Sequence, residues 1–294
     1  MRPRSLALIC LLSTQPALAI TFQTRIEQVE WSVSGDQFEC RLSQPISQFG
    51  SGEFVRRAGE RPTFQLRSRE AWFGPGSATL LAAAAPWQPG RGDINLGQVS
   101  LGGGEVPFAS SQDQAGRLMT GLLEGRSPLV RHRTRTGETL EVRLLPVRFA
   151  KAYEDYLECT AGLLPVNFDQ IRQMQLAFPG GGADLEPMVR SKLDIILDYI
   201  KADPSVTRIT LDGHSDNSGN RLTNRELSRR RALAVMDYLV AKGFPAEQIT
   251  VRFHGESYPL VPNSSPANRA KNRRVTVQLE REPLPEVAAE ADAD

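Results

Sequence analysis

The sequence lacks most of the features that would assign it at once. Beyond its first 19 residues it has no apolar run near the roughly 18–20 residues that cross a bilayer as a helix. Aromatic residues make up 7% of the chain, too few for the girdles of an outer-membrane barrel. The formal net charge is +1, with 35 Lys and Arg against 34 Asp and Glu, so no excess of one sign points to nucleic acid. There are three histidines, His132, His214 and His254, and three cysteines, with no CxxC or HxxxH spacing to suggest a metal centre. The glycines of Leu101-Gly102-Gly103-Gly104 fall short of a dinucleotide fingerprint, so no cofactor is expected. What remains is 294 residues of globular composition, 40% hydrophobic and 23% charged, and at roughly 100–200 residues per domain that length suggests two domains.

The first 19 residues read as a signal peptide. Arg2 and Arg4 form a charged start, Leu6 to Leu12 an apolar stretch, and Ala17-Leu18-Ala19 a small-x-small cleavage site. Removal after Ala19 takes away two arginines and no acids, turning the net charge from +1 to −1. It also takes Cys10 and leaves Cys40 and Cys159, which in an exported chain most simply form one disulfide; two buried free thiols are the alternative.

Residues 20–162 read as a β-rich domain. Short alternating segments recur, as in Leu140, Val142 and Leu144 against Glu141 and Arg143, and Gly74-Pro75-Gly76 and similar clusters punctuate them. One helix is expected near Gln112 to Glu124. Residues 163–281 have another rhythm. Asp184 is placed to cap a helix with Val189, Leu193, Ile196 and Ile200 along one stripe. A strand at Thr207–Leu211, a polar loop, a helix over about Leu222 to Lys242 and two further strands follow. This is an α+β arrangement with helices on a mixed sheet. Residues 282–294 carry five acids and two prolines and read as a disordered acidic tail.

The loop Gly213-His214-Ser215-Asp216-Asn217-Ser218-Gly219 is the leading candidate site, because it follows a strand and leads into a helix. On that helix Arg231 sits between Leu227 and Val235 at i±4 spacing, and an arginine within an apolar stripe wants an anion. Asp216 and Arg231 together would suit a zwitterion, the carboxylate taking an ammonium and the guanidinium a carboxylate. An internal Asp–Arg pair, or a solvated basic face with Arg225, Arg229 and Arg230, is the alternative that spacing leaves open.

Four motifs in order then carry a resemblance: Gly213-His214-Ser215-Asp216; Asn224 with Leu227-Ser228-Arg229-Arg230-Arg231-Ala232; His254-Gly255-Glu256-Ser257-Tyr258-Pro259; and Asn272-Arg273-Arg274-Val275. Over about residues 165–280 the chain resembles the OmpA-like peptidoglycan-binding domain. The resemblance implies that Asp216 and Arg231 grip the amine and carboxylate of diaminopimelate in the stem peptide, with Asn224 at the same pocket and Leu227 and Arg274 completing the peptidoglycan-binding set. One departure stands out: the family's first strand ends in Phe and an acidic residue, whereas Phe178 here precedes Pro179-Gly180-Gly181-Gly182. In the N-terminal half, Trp31-Ser32-Val33, Cys40, Pro45-Ile46, Phe49-Gly50, Pro86-Trp87-Gln88-Pro89-Gly90, Glu124-Gly125-Arg126-Ser127-Pro128 and Cys159 resemble the MotY family of the sodium-type flagellar motor. That resemblance implies a non-enzymatic periplasmic ring component of the flagellar basal body. Its N-terminal domain would dock on the motor and on a MotX-like partner, while its C-terminal domain holds peptidoglycan and helps anchor the stator complex. The alternative is a general OmpA-family envelope tether. A peptidoglycan hydrolase is a third reading, without a metal cluster or a nucleophile–base pair to support it.

Overall fold

The structure is a computed structural model that describes residues 19–282 except 86, 87, 89, 135, 136 and 180. The expected signal peptide and acidic tail therefore lie outside the described residues, apart from Ala19 and Glu282. The chain divides into two units, residues 1–57 with 61–162, and Ala58–Glu60 with residues 163–294.

In the first unit, period-two burial marks the strands. Cys40, Leu42, Gln44 and Ile46 turn inward along one strand, and Phe64, Leu66 and Ser68 along another. The strands are β1 (Ala19–Phe22), β2 (Ser32–Gly35), β3 (Glu39–Ile46), β4 (Gly50–Arg57), β5 (Thr63–Ser68), β6 (Gly76–Ala83), β7 (Ile94–Leu101), β8 (Phe108–Ala109), β9 (Ser127–Arg133) and β10 (Thr139–Arg143). They form two five-stranded sheets, ordered β1-β10-β9-β6-β7 and β2-β3-β4-β5-β8. Only the β1–β10 pairing among them is parallel.

Helix α1 (Gln112–Leu123) opens with a capping box, in which the Ser111 hydroxyl accepts from the Gln114 N–H and the Gln114 side chain accepts from the Ser111 N–H. A second helix, α2 (Phe149–Ala161), corrects the expectation of a single one. Its inward stripe of Phe149, Ala152, Tyr156 and Thr160 is short and diluted by Glu154, Asp155 and Glu158, which hides the helical period. α2 packs on β2 and β3. There Cys159 is disulfide-bonded to Cys40 of β3, with Cα atoms 6.1 Å apart and a sequence separation of 119. Trp31 packs edge-on to Phe149, and its indole N–H donates to the Leu145 carbonyl at 3.2 Å. The buried Gln44 amide makes a reciprocal pair with the Leu145 backbone, at 2.8 and 2.9 Å.

The second unit contains α3 (Phe168–Ile171), β11 (Gln173–Ala177), α4 (Pro187–Ala202), β12 (Val206–Gly213), α5 (Arg221–Ala241), β13 (Ile249–Phe253), α6 (Pro266–Asn272) and β14 (Arg274–Arg281). Its sheet is mixed, ordered β11-β14-β12-β13, with β12 and β13 parallel. Leu176, Ile209, Leu211, Val275, Val277 and Leu279 line the face on which α4 and α5 pack through Val189, Leu193, Ile196, Val235 and Leu239. α4 starts two residues later than a cap at Asp184 would place it, with Glu186 at the N-cap and Pro187 in the first turn, where the missing proline N–H costs nothing. The loop at Ala58–Glu60 belongs to this unit by its bonds. The Asn167 amide donates to Ala58 O and Glu60 Oε1, and the Gln170 amide to Gly59 O.

Candidate functional site

β12 runs inward-facing Ile209, Leu211 and Gly213 straight under α5. Gly213 lies so close to that helix that a Cβ built there would sit 2.1 Å from the Ser228 carbonyl oxygen. The contact brings the loop after β12 against the first half of α5. The inward stripe of α5 is polar in that half, Asn224, Ser228 and Arg231, and apolar only from Ala232 onward.

Arg231 is the largest fully buried side chain of those described, with none of its surface exposed. Its guanidinium spends its bonds on backbone carbonyls. Nε donates to Gly182 O at 2.7 Å, one Nη to His214 O at 3.0 Å and the other to Gly181 O at 2.6 Å. It also lies over the Phe178 ring, 5.5 Å from its centroid. Burial, followed by the nearby Arg273, pushes its pKa down to about 10, with Asp216 acting in the opposite sense.

Asp216 is buried in the loop. Its Oδ1 accepts from the Ser218 N–H at 2.8 Å, and its Oδ2 accepts from Arg273 Nη1 at 2.8 Å. Burial raises the carboxyl pKa, but the bonds from Arg273 and Ser218 outweigh it and hold the group below its usual range. Arg273 also donates to Phe178 O and Pro179 O, at 3.3 and 2.9 Å. The segment Phe178–Gly182, where an acidic side chain was expected to be missing, thus meets both arginines through carbonyl oxygens instead.

The structure gathers Asp216, Arg231 and Arg273; Asn224 is buried about two turns earlier on α5, where it donates to Glu256 Oε2 at 2.9 Å. Leu227 is half-buried at the flank of the polar stripe. Arg274 goes elsewhere. It lies on the other face of the sheet, with Nη groups 3.4 Å from Asn272 O and 3.3 Å from Tyr258 O. Arg273 is the residue that sequence reasoning passed over. Its signal was present: Val275, Val277 and Leu279 set the buried parity of β14, and Arg273 shares it while Arg274 does not. Among the described residues, no group of three or more His, Cys, Asp or Glu is placed to hold a metal ion, and no helix is long and apolar enough to cross a membrane.

Comparison with known proteins agrees with this two-part organisation. Residues 22–165 match the MotY N-terminal domain and residues 177–273 match the OmpA family. The sodium-type flagellar protein MotY of Vibrio parahaemolyticus is 26% identical over 260 residues, covering 87% of this chain and 88% of that protein. The peptidoglycan-binding protein ArfA of Mycobacterium bovis is 40% identical over 102 residues, 35% of this chain and 31% of ArfA. Outer membrane porin F of Pseudomonas aeruginosa is 40% identical over 88 residues, 30% of this chain and 25% of the porin. The chain is therefore a MotY homologue, in which a MotY N-terminal domain is followed by a domain of the OmpA family.

Proposed function

We propose that this protein is a periplasmic component of the flagellar basal body that binds peptidoglycan and helps anchor the stator. In this reading residues 20–162 dock on the motor and residues 163–281 hold the wall. The observation that carries it is the buried Asp216–Arg231–Arg273 cluster inside the stretch that matches the OmpA family. A carboxylate bonded to one guanidinium and near a second can accept a ligand ammonium, while a planar guanidinium offers a bidentate fork to a ligand carboxylate. A diaminopimelate-containing stem peptide has both charges. A carboxylate reaching Arg231 takes the place of the Gly181 and Gly182 carbonyls, and an ammonium reaching Asp216 competes with Arg273. The likeness to MotY over 87% of the chain supports the flagellar role, and the name of ArfA supports the wall ligand.

The test is co-sedimentation of the full mature chain with purified peptidoglycan, with Asp216→Ala as the comparison, together with swimming of a deletion strain complemented by each. Wild type should sediment and restore motility; folded Asp216→Ala should do neither fully. A deletion strain that swims normally would point instead to a general envelope tether. Clearing of wall in a zymogram would point to a hydrolase. A MotX-like protein is the expected binding partner of the first unit, to be sought by co-purification from cells making both.

A further inference from the structure

The C-terminal unit has a second polar concavity, on the face of its sheet away from α4 and α5. Strand alternation puts Arg274, Thr276 and Gln278 of β14 on this face, beside Asp212 of β12 and Arg252 of β13. They line an open groove of about 440 Å³ whose rim includes His254 and Tyr258. The face is distinct from the Asp216 cluster: Arg231 bonds the His214 carbonyl from the helix side, while the His214 ring lines the groove.

Charge in this groove is unbalanced. Asp212 is the only carboxylate lining it, and both its oxygens are occupied. Arg252 binds it through Nε and Nη2, each at 2.7 Å, and His254 Nε2 lies 2.7 Å from Oδ1. Arg274 is left with the two long carbonyl contacts already described, and its Nε, fully enclosed, has no partner among the described residues. An arginine on an ordinary wet sheet face would be exposed, as the half-exposed Arg252 side chain is, but Arg274 is only 7% exposed. Asp212 favours the charged form of Arg274, but its oxygens are bonded to Arg252 and His254, and a buried guanidinium with no carboxylate bonded to it costs stability unless an anion completes it.

The neighbours fit a polar ligand. The His214 ring stacks on His254 at 4.9 Å, and Tyr258, 74% exposed at a positive φ of 58°, stands edge-on to His254. Burial first, then Arg274 and His254, push the His214 pKa down to about 4, so that near neutrality it offers hydrogen bonds and no second charge. The Thr276 hydroxyl and Gln278 amide make no side-chain hydrogen bond to any described residue, and both line the groove.

We propose that this face is a second binding site, centred on Arg274, for an oxyanion (a carboxylate or a phosphate) carried on a hydroxyl- and amide-rich chain. It does not require that the Asp216 cluster bind anything. The experiment is titration of the isotope-labelled full mature chain, followed by backbone amide resonances. One probe is inorganic phosphate. The other, in phosphate-free buffer, is a disaccharide–tripeptide muropeptide with free carboxylates. Resonances of Asp212, Arg252 and Thr276 report this face, and those of Ser218 and Asn224 report the other cluster. At least one probe should move the open-face set; which one does so assigns the oxyanion to phosphate or carboxylate. Arg274→Gln should weaken that response about tenfold or more and Arg274→Lys less, since lysine keeps the charge without the planar fork. Asp216→Ala should leave it unchanged while abolishing any response at Ser218. Open-face resonances unmoved by either probe in wild type would overturn the proposal, as would an undiminished response in Arg274→Gln that keeps the native spectrum elsewhere. Should Arg274→Gln fail to fold, the wild-type titrations and Arg274→Lys decide by the same criteria.

Discussion

Arg231 Nε donates to the carbonyl oxygen of Gly182 at 2.7 Å, joining the middle of α5 to a glycine segment 49 residues earlier. With the bonds to Gly181 and His214, the guanidinium has a structural task even when no ligand is present. Arg231 variants therefore change stability and binding together. Hydrogen bonds to charged groups contribute roughly 1.5–3 kcal/mol each, and truncation frees three carbonyls at once. Arg231→Ala should lower the stability of the C-terminal unit by about 3 kcal/mol or more. Arg231→Lys should recover only part of that, because a point charge cannot serve three carbonyls in one plane. Asp216→Ala separates the two roles. It should reduce peptidoglycan co-sedimentation by at least tenfold, with a smaller loss of melting temperature. Wild-type binding by folded Asp216→Ala would remove the cluster as the wall site.

Much of this was legible in the sequence, and the gaps have physical causes. Strands with one wet face announce themselves by alternation, as β3, β5 and β10 do. α4 shows a clean stripe because its whole inner face is apolar. α5 does not: its first half buries Asn224, Ser228 and Arg231, so a search for apolar periodicity finds Leu227, which turns out to flank the stripe. The Arg231 anomaly was visible because it interrupts the apolar spacing. Its partners were not, because they are backbone carbonyls of Gly181 and Gly182, and no residue type advertises a carbonyl. The Arg273–Arg274 ambiguity is one of register, since a one-residue step along a strand reverses the face.

The disulfide should matter to the first unit alone. Both cysteines lie in it, and closing a loop of this length stabilises by up to about 4–5 kcal/mol in chain-entropy models. Adding reductant, or making Cys40→Ala, should lower the melting transition of the N-terminal unit and leave that of the C-terminal unit in place. Mass mapping of protein purified without reductant should recover Cys40 and Cys159 in one linked peptide pair. Two freely alkylated thiols in native protein would contradict the bond.

His214 should set the acid response of the C-terminal unit. An unfolded histidine titrates near 6.5, whereas burial and Arg274 push this one down to about 4 in the fold. As pH falls through that window the unfolded chain takes up a proton that the folded chain refuses, so stability declines. At roughly 1.4 kcal/mol per pH unit the loss reaches up to about 3 kcal/mol. Asp212 and Asp216 behave differently. Their lowered values keep their contributions whole above the usual carboxylate range, so their loss comes at more acidic pH. Urea unfolding between pH 7.5 and 4.5 should show a steep decline in wild type and a flatter one in His214→Gln. Parallel slopes would assign the acid sensitivity to another group.

The close approach of β12 to α5 at Gly213 builds the site. A Cβ at position 213 would stand 2.1 Å from the Ser228 carbonyl oxygen and 3.3 Å from Ala232 Cβ, and neither is the end of a flexible side chain. Gly213→Ala therefore forces α5 away from β12, at a cost typical of overpacking, about 1–3 kcal/mol or more. The shift acts on function as well, because Arg231 reaches His214 O at 3.0 Å across the same contact, one residue beyond Gly213. Gly213→Ala should lower both the melting temperature and the co-sedimentation with peptidoglycan, although residue 213 would touch no ligand. Gly116→Ala is the matched comparison: it lies inside α1, a Cβ there meets nothing within 4 Å, and exchanging a helical glycine for alanine gains about 0.5–1 kcal/mol. It should leave wall binding untouched and raise the N-terminal transition slightly. If Gly213→Ala melts and binds like wild type, the packing of β12 under α5 is looser than these distances allow, and the loop must be held at Asp216 by its own bonds to Ser218 and Arg273.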